Sequence, residues 1–115
     1  MIISEKICNS ITVIAIQGML DASSARQLKN YSSAAPSSDT IIIDLSEVDF
    51  LDSSGLGALV GMARKQNEAG GNVTLACMND KVRKVFEITQ VYRLFNIYDD
   101  VDAAAINAEK TKNSI

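Results

Sequence analysis

The segment Asp49-Phe50-Leu51-Asp52-Ser53-Ser54-Gly55-Leu56-Gly57 holds the residues best placed for chemistry. It follows a short apolar run, Ile41-Ile42-Ile43. It precedes Leu56, Leu59, Val60 and Ala63, which fall at i, i+3, i+4 and i+7, the spacing of a helix's buried stripe. Ser53 and Ser54 therefore stand where a strand has ended and a helix begins. A helix start leaves backbone N–H groups without internal partners, and a serine hydroxyl can accept one of them as a cap. An exposed hydroxyl at the same place can instead be modified, and an added phosphate would sit in the favourable field of the helix N-terminus. On residue types alone, both readings stand: an ordinary cap with a spare neighbour, or a serine meant for modification. Loops at the carboxyl ends of strands are where α/β proteins place their sites.

Composition narrows the chemistry further. The chain of 115 residues has no histidine, which removes Ser-His and Cys-His catalytic arrangements and His-containing zinc sites. A serine nucleophile would then need a lysine base, and Lys65 lies about three turns away along the helix. No Walker motif is present, and Gly55-Leu56-Gly57 lacks the pattern of a phosphate-cradling loop. Cys8 and Cys77 have no CxxC spacing and read as two half-buried thiols of a reducing compartment. The expectation is a protein that is not an enzyme and uses neither cofactor nor metal. The net charge of −3 and the scattered basic residues argue against direct nucleic-acid binding, and Lys81, Arg83 and Lys84 read as a charged helix face. No apolar run approaches the ~20 residues of a membrane span, and the first residues lack the marks of a signal peptide, so the expected location is the cytoplasm.

The elements that must position this segment follow from periodicity. Ile2 to Ile7 and Ile11 to Gln17 read as strands joined by a Cys8-Asn9-Ser10 turn, an antiparallel hairpin ended by Gly18. Asp21 can cap a helix running to about Ala34, before Pro36 and a polar loop over 32–39. Thr40 to Leu45 is a strand covered on both faces, and a helix from Ser53 stops at Gly70-Gly71. Val73 to Met78 is a further strand, and Asn79 or Asp80 caps a third helix carrying Val82, Val85 and Phe86. Phe95 to Tyr98 is a short edge strand, and an alanine-rich helix begins at Asp100 or Asp102. Strands alternating with helices predict an α/β fold: a mixed, mostly parallel sheet of four or five strands that begins with an antiparallel hairpin and is flanked by about four helices. One domain over 1–108 is expected, with a frayed tail at 109–115.

The stretch Ile41-Ile42-Ile43-Asp44-Leu45, followed by Asp49-Phe50-Leu51-Asp52-Ser53-Ser54-Gly55-Leu56-Gly57, closely resembles the signature of bacterial anti-sigma factor antagonists, the STAS-domain family. Gly18-Met19-Leu20-Asp21 resembles the family's Gly-x-Leu-Asp, and Gly70-Gly71 stands where the family turns from helix to strand. Ile88-Thr89 and Leu94-Phe95-Asn96-Ile97-Tyr98 resemble its C-terminal pattern, so the likeness covers roughly residues 2–108. The resemblance implies a STAS-like fold and a partner switch controlling transcription. The unphosphorylated protein would bind an anti-sigma factor that is itself a serine kinase, freeing a sigma factor. Phosphorylation of the second serine of DSSG, here Ser54, would abolish binding, and a serine phosphatase would restore it. The switch region and partner surface so implied comprise Asp21, Asp52, Ser53, Gly55 and Leu56, in a monomer or weak dimer. The alternative within the family is a binding module of a stress-signalling or lipid-transport assembly, without sigma control.

Ala58 and Met62 fall off the expected buried stripe, and two readings of them stand equal: an apolar contact patch beside Ser54, or packing under a neighbouring helix. Gly57 and Gly61, four apart, allow close backbone approach either to the sheet or to a partner, and packing inside the domain is the favoured of these two readings. Gln90-Val91 stands where the family usually has Gly-Leu, so a different backbone is expected in that loop.

Overall fold

The structure, a computed structural model, describes residues 1–31, 33, 35–36 and 39–113, with side chains through residue 108. The chain opens with β1 (Ile2–Cys8) and β2 (Ile11–Leu20), an antiparallel hairpin in which Cys8 pairs with Ile11. Asn9 and Ser10 form the turn with φ of 51° and 67°. Two left-handed residues in a two-residue loop match the right-handed twist of the strands, and asparagine tolerates that conformation better than most side chains.

After the hairpin come α1 (Ala22–Lys29), β3 (Thr40–Leu51), α2 (Ser53–Glu68), β4 (Asn72–Ala76), α3 (Asp80–Thr89), β5 (Asn96–Tyr98) and α4 (Val101–Asn113). The sheet order is β1-β2-β3-β4-β5, with every pair after the hairpin parallel. Among the described residues this is the expected mixed five-stranded sheet with four α-helices.

The two faces of the sheet are covered unequally. Ile14, Ile16, Ile41, Ile43 and Leu45 point towards α1, α2 and α3, and form the larger core with Leu28, Leu59 and Phe86. Ile11, Val13 and Ile42 point the other way, against Ala104, Ala105 and Ala108 of α4. Ile41, Ile42 and Ile43 are each at most 2% exposed, so the continuous apolar run is explained by helices on both sides. Each such side chain contributes roughly 1.5–3 kcal/mol by leaving water. The small alanines let a single helix lie close to the second face.

Three elements depart from the sequence expectation. The first helix ends at Lys29 instead of near Ala34, because Asn30 caps it with an N–H to the Arg26 carbonyl at 3.0 Å. Tyr31 then turns towards the hairpin, where its hydroxyl and that of Ser33 donate to Glu5 of β1. Partial burial, together with Glu5, pushes the Tyr31 hydroxyl up to about 12. Residues 32, 34, 37 and 38 of the polar loop lie outside the described residues, as do 114–115 of the expected frayed tail; from 109 to 113 only the backbone is described. Gly18 does not end β2. It sits at φ +111° inside the strand, between register shifts that insert a bulge, and the strand continues to Leu20. β3 likewise continues past Leu45 for six residues, pairing with the bulged end of β2. β4 stops opposite Asp44, so β2 and β3 project together beyond the body of the sheet.

At the Gln90-Val91 loop the backbone takes a conformation unusual for a residue with a side chain. Gln90 caps α3 in the left-handed conformation, φ 60°, which suits glycine, and a 3₁₀ turn over Val91–Leu94 follows. A side chain held there costs about 1–2 kcal/mol. Gln90→Gly should therefore raise the unfolding free energy by about 0.5–1 kcal/mol in urea titrations, after the extra flexibility it gives the unfolded chain. A loss of stability would mean that the Gln90 side chain contributes more than its backbone strain costs.

Candidate functional site

The projecting ends of β2 and β3 feed two helices that start side by side. In the parallel register Leu20 lies opposite Leu51, and each leucine is followed by an aspartate that caps the next helix. Asp21 accepts from the N–H groups of Ser23 and Ser24, both at 3.1 Å, and from the Ser23 hydroxyl at 2.7 Å. The Ser24 hydroxyl completes a capping box by accepting the Asp21 N–H at 2.9 Å, while donating to the Met19 carbonyl at 2.6 Å. These hydrogen bonds, chiefly the one from the Ser23 hydroxyl, hold the Asp21 carboxyl below its ordinary range. Its contribution to stability is therefore present above the ordinary carboxylate range and fades as pH falls through that lowered value.

Asp52 does the same work for α2. Its backbone N–H donates to the Leu20 carbonyl at 3.1 Å, and its side chain accepts the Gly55 N–H at 3.0 Å. The cap is thus an aspartate, and neither serine serves as one, contrary to one of the two readings of the sequence. Ser53 and Ser54 occupy the first two positions of the helix, and both are exposed. Neither hydroxyl has a hydrogen-bond partner among the described residues. Both hydroxyls are therefore open to solvent and serve no contact within the described fold.

Gly55 has a steric role. A Cβ on it would lie 2.2 Å from the Leu20 carbonyl oxygen and 2.8 Å from the Leu20 Cβ. α2 therefore starts in direct backbone contact with the end of β2, which locks the two aspartate-capped starts together. Leu56 is 6% exposed and belongs to the core.

The structure brings Asp21, Asp52, Ser53 and Ser54 together at one end of the sheet, and places the other candidate residues elsewhere. Gly55 and Leu56 lie beneath that surface. Ala58 is fully buried, so it offers no contact area and packs in the core, on the stripe it was expected to miss. Met62 is half-buried about one turn further along. It faces a cavity of about 190 Å³ shared with Tyr31, Lys65 and Gln66. Gly57 and Gly61 were expected to pack inside the domain, yet a Cβ on either would meet nothing within 4 Å. They lie on the open face of α2.

Sequence reasoning missed the apolar part of this surface. Met19 and Phe50 are register partners on β2 and β3, and they remain 49% and 44% exposed. A phenylalanine between Asp49 and a capping aspartate was the available signal, but its neighbour across the strands was not visible in the chain. Also missed was an open cleft of about 460 Å³ in which Ala22, Ala25, Arg26 and Lys29 of α1 face Ser53, Ser54 and Gly57 of α2.

Other chemistry finds little footing. Among the described residues no group of three or more Cys, Asp or Glu could hold a metal ion. Cys8 and Cys77 are free, half-buried thiols, and burial followed by the charge of Asp44 raises the Cys77 thiol, which disfavours the reactive thiolate. Arg83 pairs with Asp99 at 3.4 Å on the surface. Among the described residues no helix is long and apolar enough to cross a membrane.

The family model of the STAS domain matches residues 3–104. The anti-sigma-B factor antagonist of Listeria monocytogenes is 30% identical over 86 residues, covering 73% of this chain and 75% of that one. The anti-sigma F factor antagonist of Paenibacillus polymyxa is 30% identical over 60 residues, 52% of this chain and 51% of that one. The chain thus spans just over half the length of the curated relatives it first matches, 51% and 57%. The crystal structure of an anti-sigma factor antagonist from Mycobacterium paratuberculosis shares the fold with a TM-score of 0.74 at 22% identity, over 93% of this chain and 92% of that one.

Two glycines two positions apart should respond oppositely to the same substitution. Gly55→Ala forces the backbone of Leu20 to move and should lower the unfolding free energy by about 1–3 kcal/mol. Gly57→Ala meets open space in a helix interior and should raise it by about 0.5–1 kcal/mol. Urea titrations of both variants check the pair; equal effects would mean that the close approach of α2 to Leu20 is absent in solution.

Proposed function

The chain belongs to the STAS domain family, and on that premise we propose that it is an anti-sigma factor antagonist switched by phosphorylation of Ser54. In its unphosphorylated form it binds an anti-sigma factor that is also a serine kinase, and a sigma factor is released. That kinase phosphorylates Ser54, binding is lost, and a serine phosphatase resets the cycle. The observation that carries this reading is the division of labour at the start of α2. Asp52 takes the capping role, which leaves the Ser54 hydroxyl exposed and, among the described residues, without an internal partner. The names of the relatives support the general role of a binding regulator.

Physical chemistry favours a switch that acts at the interface. Phosphorylation adds about −1.5 to −2 charges. At ~6 Å and an effective dielectric near 20, each unit of like charge from the Asp21 and Asp52 carboxylates costs on the order of 3 kcal/mol before screening. The helix N-terminus returns roughly 0.5–2 kcal/mol. No core side chain has to move, because Ser54 supports none, so the fold survives. A docked partner is different. Where it covers the start of α2, it must desolvate a dianion. A few kcal/mol lost at that interface is about 100-fold or more in affinity.

Calorimetric titration against the cognate anti-sigma factor tests the reading. Ser54→Ala should bind as tightly as the unmodified protein. Ser54→Asp should remain folded, with a melting temperature lowered by no more than several degrees, yet bind about 100-fold more weakly. Equal affinities would remove Ser54 from the mechanism. Incubation with ATP and the kinase should add one phosphate, at Ser54 and not Ser53, by intact-mass and peptide analysis. No uptake of phosphate would favour a STAS module of another assembly.

A further inference from the structure

We propose that Arg26 and Lys29 form an internal clamp for the phosphate carried by Ser54, so that the modified domain holds its own dianion in the cleft between α1 and α2. This rests on the phosphorylation reading above and deepens it, by naming the residues that receive the modified side chain.

The geometry of the cleft supplies the case. Ala22, Ala25, Arg26 and Lys29 are spaced so that one face of α1 presents them together, and that face lies across from Ser53, Ser54 and Gly57. The small residues Ala22, Ala25 and Gly57 leave the space open, about 460 Å³. Arg26 and Lys29 are exposed, and neither has an ion-pair partner among the described residues. Both have long flexible stems, and the guanidinium fork can hold two oxygens of one phosphate. The opposing charges nearby are the two cap carboxylates, which are already committed. Asp21 is bound by the Ser23 and Ser24 N–H groups, and Asp52 by that of Gly55. Two cations without ion-pair partners among the described residues thus line the cleft that Ser54 also lines, while the carboxylates that cap the two helices are already hydrogen-bonded. A phosphate there gains direct charge-assisted partners from its own chain.

The clamp has a consequence for the switch. It draws Arg26 and Lys29 inward onto the phosphate, so the phosphorylated surface offers a partner neither the bare hydroxyl nor the two free cations.

The test needs no kinase. Phosphoserine is placed at position 54 of the full chain during translation, and its second ionisation is followed by phosphorus-31 NMR at low salt. With Arg26 and Lys29 present, the phosphate should titrate about half a unit to one unit below the ordinary value near 6. In the double variant Arg26→Gln/Lys29→Gln the value should rise to the ordinary value or above it, because the carboxylates of Asp21 and Asp52 remain. Lys81→Gln, an equal loss of charge on α3, should leave the titration unchanged. Melting of the unphosphorylated double variant should match the parent, which shows that the fold is intact, while the phosphorylated double variant should melt several degrees lower than the phosphorylated parent. Identical titration curves for the parent and the double variant would overturn the clamp. That result would leave the partner switch standing, and failure of a kinase to modify Ser54 would leave the clamp measurable.

Discussion

The hydrogen bond from the Gly55 N–H to the Asp52 carboxylate, 3.0 Å long, is the contact on which the rest of the site depends. A helix start has to satisfy its first N–H groups, and serine is among the residues that usually do so. Here the aspartate one position earlier takes that task. The two serines that follow are released from structural duty, and a chemical change at either hydroxyl breaks no bond that the fold needs. Had Ser53 been the cap, modification at this end would have competed with helix formation. The same contact brings Gly55 down onto the Leu20 carbonyl, at a distance no side chain could tolerate. One interaction thus leaves the Ser54 hydroxyl uncommitted and fixes its position relative to the neighbouring strand.

The platform under that group is stiff for a separate reason. β2 and β3 run on together past the edge of β4, in a register adjusted by the bulge around Gly18. Their ends are strands, not loops, so Met19, Asp21, Phe50 and Asp52 are held at set spacings. The apolar pair Met19 and Phe50 is left half-exposed at this end of the sheet, and Arg26 and Lys29 line the separate cleft between α1 and α2. Such a mixture of apolar area and charge suits recognition by a protein. The apolar part gives affinity, while the charges set the direction in which a dianion changes it.

The other face of the sheet has a different task. α4 packs three alanines against Ile11, Val13 and Ile42, and carries none of the site. Covering that face keeps β3 buried on both sides, and it lets α1 and α2 share one face with their starts adjacent. Fold and site are therefore separable in part. The fold is common to proteins that share only about a fifth of their residues with this one, whereas the cleft chemistry depends on a few side chains at the helix starts.

Much of this was legible in the chain alone. The hairpin, the continuous Ile41-Ile42-Ile43 strand, the caps at Asp21 and Asn79 and the stop at Gly70 are local signals, written in turn residues and short periodicities. The placement of Ser54 at a helix start was legible for the same reason. What the chain could not reveal are facts about pairs of residues far apart in sequence. Leu20 excludes a side chain at Gly55; Met19 pairs with Phe50 only through the bulged register; Arg26 and Lys29 share a cleft with Ser54 only because α1 and α2 lie side by side. Ala58 is buried and Gly57 and Gly61 are open, the reverse of the faces expected for them, because helical spacing tells which residues share a face but not how many sides of the helix are covered. Local chemistry settles elements and their ends, since it acts over a few residues. Which hydroxyl is free, and what charge it faces, is settled only when separate elements are brought within a few ångströms of one another.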